Sequence, residues 1–415
     1  MDIKDIAKSA KEASLELLGA PSELKNAALK NVKENIERHK NEIFAANKKD
    51  LQEAQTLVDK GEISQSTYAR LKLDENKMRD MLKGIEDVIS LDDPVNKVFW
   101  TKELDEGLIL KKISCPIGVI GVIFEARPDV ISQIASLAIK SGNAVILKGG
   151  RESNNTNAAI FSAINEALEN TLNFPKNAVN LVFSRDDIKG LLELDEYVDL
   201  IIPRGSNKLV KYIQENTKIP VLGHASGICH IFVDESAKKD LAIKICVDAK
   251  VQYPSACNAV ETILVHKNFP AIEELKKALC SAGVKIVENP ADFSVEYGDK
   301  IVSLKIVENT EEAINHINKY GSGHTDSILS ENKDSVDKFM NYVDSSGVYH
   351  NASTRFSDGF RYGFGAEVGI STNKTHARGP VGLDGLTIYK YKLFGSYQTV
   401  DPYAKGEKTF THKFI

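Results

Sequence analysis

The chain has 415 residues and an ordinary globular composition, with 42% hydrophobic residues, 27% charged residues and a formal net charge of −5. Its length predicts two or three domains, and its mild acidity without a basic block excludes nucleic acid and anionic membranes as expected partners. No apolar run reaches membrane-spanning length, and five cysteines without metal-type spacing favour a cytoplasmic protein with reduced thiols.

Helices are predicted for the first part of the chain, up to about residue 90, and a β-hairpin follows them. Apolar residues recur at helical spacing between Ser22 and Lys48, and Ser22 is the expected N-cap of that helix. From Val98 to Ser114 the pattern changes to extended apolar runs, with Asp105-Glu-Gly107 as a turn. This pattern is typical of a hairpin that projects from the body of a protein.

Two series of short apolar runs, alternating with helical stretches, make up most of the remaining chain. The first series places strands at 119–124, 144–147, 179–183, 198–202 and 221–222, and the second extends from 228 to 349. This alternation predicts parallel strands buried on both faces. We therefore expect two α/β domains with a cleft between them and a boundary near residues 223–227. An alternating run at 386–393 predicts an edge strand, after which the sequence becomes polar.

One cysteine, Cys257, stands among small residues in Tyr253-Pro-Ser-Ala-Cys257-Asn-Ala-Val-Glu-Thr262, just ahead of the apolar run 263–265. Small neighbours leave the sulfur accessible at a junction between a loop and a strand, where a catalytic nucleophile is expected. The alternative is a small buried apolar residue, which is the usual place of a free cysteine.

A ligand-binding position is indicated at Lys148, which follows a buried strand and precedes Gly149, Gly150 and a helix. Glycines allow a close backbone approach, and a helix start favours phosphate. The alternative for Lys148 is a solvated surface lysine. The segment Pro203-Arg-Gly-Ser-Asn207 has the same order of strand end, turn and helix. The nine histidines lack paired ligand spacing, so no metal site is predicted.

The whole chain resembles one branch of the aldehyde dehydrogenase superfamily, the gamma-glutamyl phosphate reductase family. The resemblance lies in a series of motifs: Phe124-Glu-Ala-Arg-Pro-Asp129, Lys140-Ser-Gly-Asn-Ala144, Leu147-Lys-Gly-Gly150, Pro203-Arg-Gly-Ser-Asn207, Pro220-Val-Leu-Gly-His224, Cys257-Asn-Ala-Val-Glu-Thr262, Asp344-Ser-Ser-Gly-Val-Tyr349, Asn351-Ala-Ser-Thr-Arg-Phe356, Phe364-Gly-Ala-Glu-Val-Gly369 and His376-Ala-Arg-Gly-Pro-Val-Gly-Leu-Asp-Gly385.

This resemblance implies an α/β, aldehyde dehydrogenase-like fold of two α/β domains with parallel-rich sheets and a small β oligomerisation arm. It assigns 1–96 and 114–226 to an NADPH-binding domain with N-terminal helices, 227–383 to a catalytic domain that carries the cysteine, and 97–113 and 384–415 to the arm. The implied reaction is NADPH-dependent reduction of L-glutamate 5-phosphate to L-glutamate 5-semialdehyde and phosphate, the second step of proline biosynthesis from glutamate. A cytoplasmic homo-oligomer is expected, with glutamate 5-kinase as a candidate transient partner.

The resemblance also implies covalent catalysis by Cys257, whose thiolate forms a thioester that hydride then reduces. The backbone N–H of Cys257 and the amide of Asn258 are the expected oxyanion donors. Hydrolytic relatives carry a glutamate base where this chain has Val221, and an oxyanion-hole asparagine where it has Ala126. Without that base no group activates water, as an acyl-phosphate reductase requires.

For the cofactor, the resemblance places Lys148 against the adenosine ribose and Gly205 and Ser206 near the pyrophosphate. Arg151 stands where NAD-dependent relatives carry a glutamate, which favours a 2′-phosphate and hence NADPH. Glu296 matches the acid that holds the nicotinamide ribose.

Recognition of the small-molecule substrate requires a cation for the α-carboxylate and an acceptor for the α-ammonium group. Glu125, Arg127 and Arg355 are the candidates, with a structural ion pair as the alternative for each. The main rival function is a hydrolytic NAD(P)-dependent aldehyde dehydrogenase. A CoA-acylating enzyme and a non-catalytic protein on the same fold are further alternatives.

Overall fold

The structure is a computed structural model that describes residues 2–224 and 226–415, apart from the side chains of Ser66, Arg185 and Asp186. It divides into two compact units. The first contains Met1–Gly205, Ile213–Val221 and Gly382–Ile415, and the second contains Ser206–Tyr212 and Leu222–Val381. Within the predicted boundary at 223–227, Ala225 lies outside the described residues. The assignment of a cofactor domain, a catalytic domain and an arm stays a prediction.

The predicted helical region is confirmed as five helices: α1 (Ile3–Leu17), α2 (Ser22–Arg38), α3 (Lys40–Asp59), α4 (Gln65–Leu71) and α5 (Glu75–Ser90). At the start of α5, the Asp74 carboxylate caps the helix by accepting hydrogen bonds from the N–H groups of Asn76 and Lys77. The prediction that Ser22 caps α2 is wrong. Pro21 is the N-cap, with an extended backbone, and Ser22 is the first helical residue. Proline has no backbone N–H, so it suits a position outside the helical hydrogen-bond pattern.

The predicted hairpin is confirmed by β1 (Val98–Asp105) and β2 (Leu108–Pro116), which pair antiparallel. Gly107 lies in the turn with φ +68°, a left-handed conformation that glycine adopts without a Cβ penalty. The hairpin belongs to the first unit.

The first predicted α/β series follows the hairpin. Its elements are β3 (Val119–Phe124), α6 (Val130–Ser141), β4 (Ala144–Lys148), α7 (Asn154–Glu169), β5 (Val179–Val182), α8 (Arg185–Leu192), β6 (Leu200–Arg204) and α9 (Asn207–Glu215). The strands are parallel in the order β5-β4-β3-β6, and every residue of β3 and β4 is buried. The strand predicted at 221–222 is reduced to a single bridge between Val221 and Ile201. Only one short apolar pair is present there, too little for a strand.

The second predicted series forms a larger sheet in the second unit. Its elements are β7 (Cys229–Val233), α10 (Lys239–Val251), β8 (Val260–His266), α11 (Ile272–Ser281), β9 (Lys285–Glu288), β10 (Ile301–Val307), α12 (Thr310–Tyr320), β11 (Thr325–Leu329), α13 (Lys333–Tyr342) and β12 (Gly347–His350). The strands are parallel in the order β12-β11-β7-β8-β10-β9. The central strands β7 and β8 are fully buried, as their apolar runs predict.

The C-terminal region contains β13 (Ile370–Ser371), β14 (Gly379–Pro380), β15 (Thr387–Phe394), α14 (Asp401–Ala404) and β16 (Lys413–Phe414). The predicted edge strand is confirmed as β15, which pairs with β2 in a sheet of order β15-β2-β1-β16. The sequence analysis missed β16, because a two-residue strand carries almost no pattern. Within the described ranges, every helix is too short or too polar to cross a lipid bilayer.

Candidate active site

Cys257 lies in a tight loop between α10 and β8 in the second unit. Two turns shape the loop: the Ala256 N–H donates to the Tyr253 carbonyl at 3.2 Å, and the Ala259 N–H donates to the Ala256 carbonyl at 2.9 Å. Cys257 is half-buried, whereas Cys229 and Cys246 are fully buried in β7 and α10. Its sulfur is therefore held by a defined backbone and is still open to a small substrate.

The buried Cys229 supports this loop from the neighbouring strand. Its thiol donates to the carbonyl of Cys257 at a sulfur–oxygen distance of 3.3 Å. Burial raises the pKa of the Cys229 thiol well above its ordinary value, so the group stays protonated and remains a donor. Cys229 therefore acts as a structural thiol that fixes the backbone of Cys257.

Two histidines flank the nucleophile. One ring nitrogen of His224, one of His324 and the sulfur of Cys257 all lie within 4.8 Å of one another. The two rings meet edge to face with centroids 5.0 Å apart. Sequence spacing did not predict this cluster, because its members precede three different strands. These strands, β7, β8 and β11, are neighbours in the sheet, so their amino ends bring the residues together.

Each imidazole is held through its Nδ1 atom. The Nδ1 of His224 lies 2.7 Å from the carbonyl oxygen of Ile370, and since a carbonyl only accepts, this nitrogen carries the proton. His324 is fully buried, with Nδ1 2.9 Å from the hydroxyl of Thr325. The Nε2 of His324 is buried without a hydrogen-bond partner among the described residues. His324 is the functional candidate that the sequence analysis missed, because its approach to Cys257 depends on the order of the strands in the sheet.

Asn258, the predicted oxyanion donor, is 4% exposed next to the nucleophile. Its Nδ2 donates to the carbonyl oxygen of Ser357 at 2.7 Å, which uses one of its two N–H groups. Its Oδ1 is buried without a hydrogen-bond partner in the described part of the chain. The side chain therefore has a fixed orientation and one N–H left for another acceptor.

Arg355 is a buried cation near the cysteine loop. Its side chain is 8% exposed, its Nε donates to the Gln252 Oε1 at 2.9 Å, and its guanidinium lies 5.8 Å from the ring centroid of Tyr253. Burial and the charge of Arg361 lower the pKa of Arg355, while the neighbouring Cys257, Asp358 and Asp248 oppose the shift. A guanidinium remains protonated even so. Among the side chains that the structure describes, no carboxylate forms an ion pair with Arg355, which disfavours the structural alternative for this residue.

The other two predicted substrate residues, Glu125 and Arg127, lie in the first unit and are exposed. Glu125 directly follows β3, and its N–H donates to the Arg204 carbonyl at 3.0 Å. Between them Ala126 has φ +49°, and its N–H donates to the Glu152 carboxylate at 2.7 Å. The loop after β3 is therefore fixed by Glu152, with two charged side chains directed outward.

Lys148 ends β4 beside Ile123 of β3 and is 4% exposed, so it is not a solvated surface lysine. Its Nζ donates to the Gly149 carbonyl at 2.5 Å. A side chain on Gly149 would meet Asn157 and the ring of Phe124, so only glycine fits the close packing there. The carboxyl ends of β3, β4 and β6 thus bring Glu125, Lys148 and Arg204 to one edge of the sheet, where α/β proteins bind ligands.

Arg151 follows in the short 3-10 turn Arg151–Ser153 and is well exposed. Its Nη2 lies 2.8 Å from the Glu62 carboxylate, and the side chains of Arg151 and Glu62 are 59% and 45% exposed. Because an exposed ion pair contributes only about 0–1 kcal/mol, the guanidinium is available for a stronger anion.

Ser206, predicted near the pyrophosphate, and Glu296, predicted at the nicotinamide ribose, both lie in the second unit and are linked through Asn207. The hydroxyl of Ser206 accepts a long hydrogen bond from the Leu209 N–H at 3.4 Å. The next residue, Asn207, donates from Nδ2 to the Glu296 carboxylate at 3.0 Å. Gly205 immediately precedes this turn, at the end of β6 in the first unit.

A buried ion pair holds the segment after Glu296. Lys250 and Glu261 are 0% and 1% exposed, and their charged atoms are 3.0 Å apart. Burial raises the pKa of Glu261 to about 7, and the same burial lowers the pKa of Lys250. The Glu261 carboxylate also accepts from the N–H groups of Tyr297 and Gly298, at 3.2 and 3.3 Å. Glu261, four residues after the nucleophile, therefore fixes the backbone next to Glu296.

Comparisons with known proteins identify the family of this chain. A model of the aldehyde dehydrogenase family matches residues 1–302. The gamma-glutamyl phosphate reductase of Brachyspira hyodysenteriae is 62% identical over the full length of both chains, and that of Acetivibrio thermocellus is 50% identical over 99% of this chain and 98% of its own. The crystal structure of gamma-glutamyl phosphate reductase from Thermotoga maritima has a TM-score of 0.93 and 39% identity, and covers 96% of this chain and 100% of that one. The chain therefore belongs to the aldehyde dehydrogenase family, in its gamma-glutamyl phosphate reductase branch.

Two expectations are confirmed by these comparisons: the aldehyde dehydrogenase-like α/β fold and the family to which the sequence motifs point. The protein is accordingly an oxidoreductase that acts with a nicotinamide cofactor on a small-molecule substrate. An acetylating aldehyde dehydrogenase from Geobacillus thermoglucosidasius, 16% identical with a TM-score of 0.67 over 96% of this chain and 97% of its own, shares the fold.

Proposed function

We propose that this enzyme reduces L-glutamate 5-phosphate to L-glutamate 5-semialdehyde and phosphate with NADPH, through a thioester on Cys257. The observation that carries the proposal is the half-buried Cys257 with two imidazole nitrogens within 4.8 Å of its sulfur. The names of the closely similar relatives support the substrate, and the chemistry of the site supports the covalent route.

The imidazoles account for activation of the thiol. A thiol becomes a strong nucleophile when a neighbouring base takes its proton. The neutral ring of His224 has its proton on Nδ1, so Nε2 carries a lone pair that accepts this proton. The resulting imidazolium then attracts the phosphate that leaves as the thiolate attacks the acyl carbon. The bond formed is the Cys257 sulfur–carbon bond, and the bond broken joins that carbon to the phosphate oxygen.

The oxyanion formed in this attack needs nearby donors. The backbone N–H of Cys257 and the second Nδ2 hydrogen of Asn258 are our candidates. Asn258 is suited to the task because its hydrogen bond to Ser357 fixes the amide before the substrate arrives.

The cofactor residues fit NADPH by charge and shape. Lys148 and Arg151 lie on either side of Gly149-Gly150, where a Cβ atom on either glycine would meet the side chain of Asn157 or Glu152. The two positive charges of Lys148 and Arg151 support an anionic cofactor. Arg151 is proposed to bind the 2′-phosphate, Gly205 and Ser206 the pyrophosphate, Lys148 the adenosine ribose, and Glu296 the nicotinamide ribose. When bound, the cofactor supplies the hydride that reduces the thioester.

Arg355 is our candidate for binding the substrate α-carboxylate. Burial of the guanidinium carries a desolvation cost, and its described partners include no paired carboxylate. An anionic group of the substrate that pairs with it offsets this cost. Glu125 is proposed for the α-ammonium group and Arg127 for a second contact with an anionic part of the substrate.

The test is the reverse reaction, NADP⁺ reduction with glutamate semialdehyde, with and without inorganic phosphate. We expect turnover to require phosphate, because Val221 stands where hydrolytic relatives carry the water-activating base, whereas phosphate dianion attacks a thioester directly. Steady turnover in phosphate-free buffer at the phosphate-saturated rate would overturn the proposal and favour a hydrolytic dehydrogenase, with a histidine as the base.

We further propose a cytoplasmic homo-oligomer in which the sheet β15-β2-β1-β16 is the contact surface. The supporting observation is a set of exposed apolar side chains on this sheet, among them Phe99, Tyr391, Leu393, Phe394 and Phe414. A transient contact with glutamate 5-kinase would protect the labile acyl phosphate. Sedimentation of the full chain alone measures the homo-oligomer, and sedimentation with the kinase measures the contact between the two enzymes.

A further inference from the structure

The side chains at the nucleophile have a second chemical capacity that acyl transfer does not need. A thiolate and two imidazoles are the ligand types that Zn²⁺ prefers in proteins. His224, Cys257 and His324 are the one such group of three or more metal-ligand side chains found in the residues that the structure describes.

The imidazole of His224 is oriented as metal ligands usually are. A metal-binding histidine commonly donates its other ring N–H to a carbonyl oxygen, which fixes the ring and leaves a lone pair for the metal. His224 has this arrangement, with Nδ1 2.7 Å from the Ile370 carbonyl.

His324 supplies an independent observation. Its ring is fully buried, and Nδ1 is already engaged by Thr325, yet the Nε2 atom has no hydrogen-bond partner among the described residues. Leaving a buried polar atom unpaired costs about 1–3 kcal/mol unless a ligand satisfies it. A metal ion at the cluster satisfies it directly.

The distances are close to those a zinc ion requires. Zn–N and Zn–S bonds of about 2.0 and 2.3 Å in a tetrahedron place neighbouring ligand atoms roughly 3.3–3.6 Å apart. The three atoms here lie within 4.8 Å of one another, so an approach of at most about 1.5 Å completes the geometry. A rotation about χ1 of the half-buried Cys257 changes the two sulfur–nitrogen distances.

We propose that His224, Cys257 and His324 bind one Zn²⁺ ion, with water as the fourth ligand, and that this ion reversibly blocks the nucleophile. The metal-bound sulfur then has its lone pair in a Zn–S bond and attacks neither acyl phosphates nor alkylating agents. The ligand set contains no carboxylate, which disfavours Mg²⁺, Ca²⁺ and Mn²⁺. The site shares its residues with the proposed active site but depends on no particular acyl substrate.

The probe is Co²⁺, which takes the place of Zn²⁺ and gives a sulfur-to-metal charge-transfer band when a thiolate binds it. The full chain, kept reduced with a phosphine, is titrated with Co²⁺ and then with Zn²⁺ as competitor. We expect one equivalent of Co²⁺ per chain, loss of the band in Cys257→Ala, and affinity at least about tenfold weaker in His224→Asn. Zn²⁺ should also slow alkylation of Cys257 by iodoacetamide, and a chelator should restore both alkylation and activity.

Cys280→Ser is the matched control, because Cys280 is an exposed thiol near the end of α11 and is not one of the three clustered residues, so the band should be unchanged. His324→Asn should also weaken binding, but His324 is buried, so the decisive variant is the half-buried His224→Asn. The proposal is overturned if the band persists in Cys257→Ala, if it disappears in Cys280→Ser, or if His224→Asn binds Co²⁺ as tightly as the wild type. These outcomes are independent of the phosphate requirement, so the metal site and the proposed reaction are tested separately.

Discussion

Gly227 lies directly against the backbone of Cys257. A Cβ atom at Gly227 would stand 2.5 Å from the Cα of Cys257 and even closer to its carbonyl oxygen. Backbone atoms have no side-chain rotation with which to avoid such a contact. Glycine at this position is therefore what allows the strand β7 to begin beside the nucleophile loop.

Substitution Gly227→Ala should displace Cys257 and lower kcat by about a hundredfold or more, because a misplacement of about 1 Å has that effect on a reacting group. The measurement is reverse turnover together with a thermal melt. The matched control is Gly84→Ala in α5, where a new Cβ meets no atom within 4 Å and should leave activity unchanged. Wild-type kcat in the Gly227 variant would show that the loop relaxes without loss of function.

Substitution Cys257→Ala should abolish turnover and leave NADPH binding intact, because the covalent step is lost and the proposed adenosine-binding residues lie in the first unit. Cofactor binding is followed by fluorescence, and turnover by absorbance. Cys280→Ser serves as the exposed-thiol control and should retain activity, while changes at Cys229 and Cys246 should act through stability, since both are buried. Appreciable turnover without the Cys257 sulfur contradicts the thioester route.

Most strands and helices could be predicted from the sequence because their signal is local. Apolar runs such as 119–124 and 301–307 are long enough to identify buried strands, and both are observed. The predicted strand at 221–222 and the missed strand β16 were failures of the same kind, since two-residue elements depend on their neighbours for pairing. Pro21 in place of Ser22 as the N-cap shows that a cap depends on backbone conformation as well as side-chain type.

The candidate site was predictable only in part. Cys257 and Lys148 stand out because small residues lie beside each of them; Cys257 is half-buried in its loop, and Lys148 is buried at the carboxyl end of β4. His324 carries no such local signal. Its approach to Cys257 depends on the sheet order β11-β7-β8, which places strands distant in sequence side by side. Long-range topology of this kind is invisible to spacing rules.

Substitution Arg151→Glu should weaken NADPH far more than NADH. A charge-assisted hydrogen bond to the 2′-phosphate contributes about 1.5–3 kcal/mol, which corresponds to roughly ten- to a hundredfold in affinity. The measurement is the dissociation constant of each cofactor. Equal loss for both would show that Arg151 serves the fold or the shared pyrophosphate.

The partner residue offers the matched control. Glu62→Gln removes the carboxylate that now pairs with Arg151 at 2.8 Å. It should leave NADH binding unchanged and strengthen NADPH binding by a small factor, since the exposed pair contributes at most about 1 kcal/mol. A loss of NADPH affinity in Glu62→Gln would indicate instead that the ion pair positions Arg151.

His316 in α12 should make stability depend on pH. It is 5% exposed, and burial, followed by the neighbouring His230 and Lys305, lowers its pKa from 6.5 to about 3, with Glu312 opposing the shift. The folded state therefore keeps the ring neutral at pH values where the unfolded chain protonates it. The stabilising contribution is complete above about pH 6.5 and is lost as the pH falls towards 3, by up to about 1.4 kcal/mol per pH unit.

Substitution His316→Phe removes this titration and keeps a ring that packs against Phe293 and Tyr320. The measurement is the free energy of unfolding in urea between pH 4 and 7. Relative to the wild type, the variant should gain stability as the pH falls. Glu261 has the opposite effect, because its raised pKa favours the folded state at lower pH. This effect is common to both proteins, so it drops out when the variant is compared with the wild type. His412→Asn, at an exposed position near the C-terminus, is the control and should follow the wild type. Parallel curves for wild type and His316→Phe would show that His316 does not remain neutral in the folded protein.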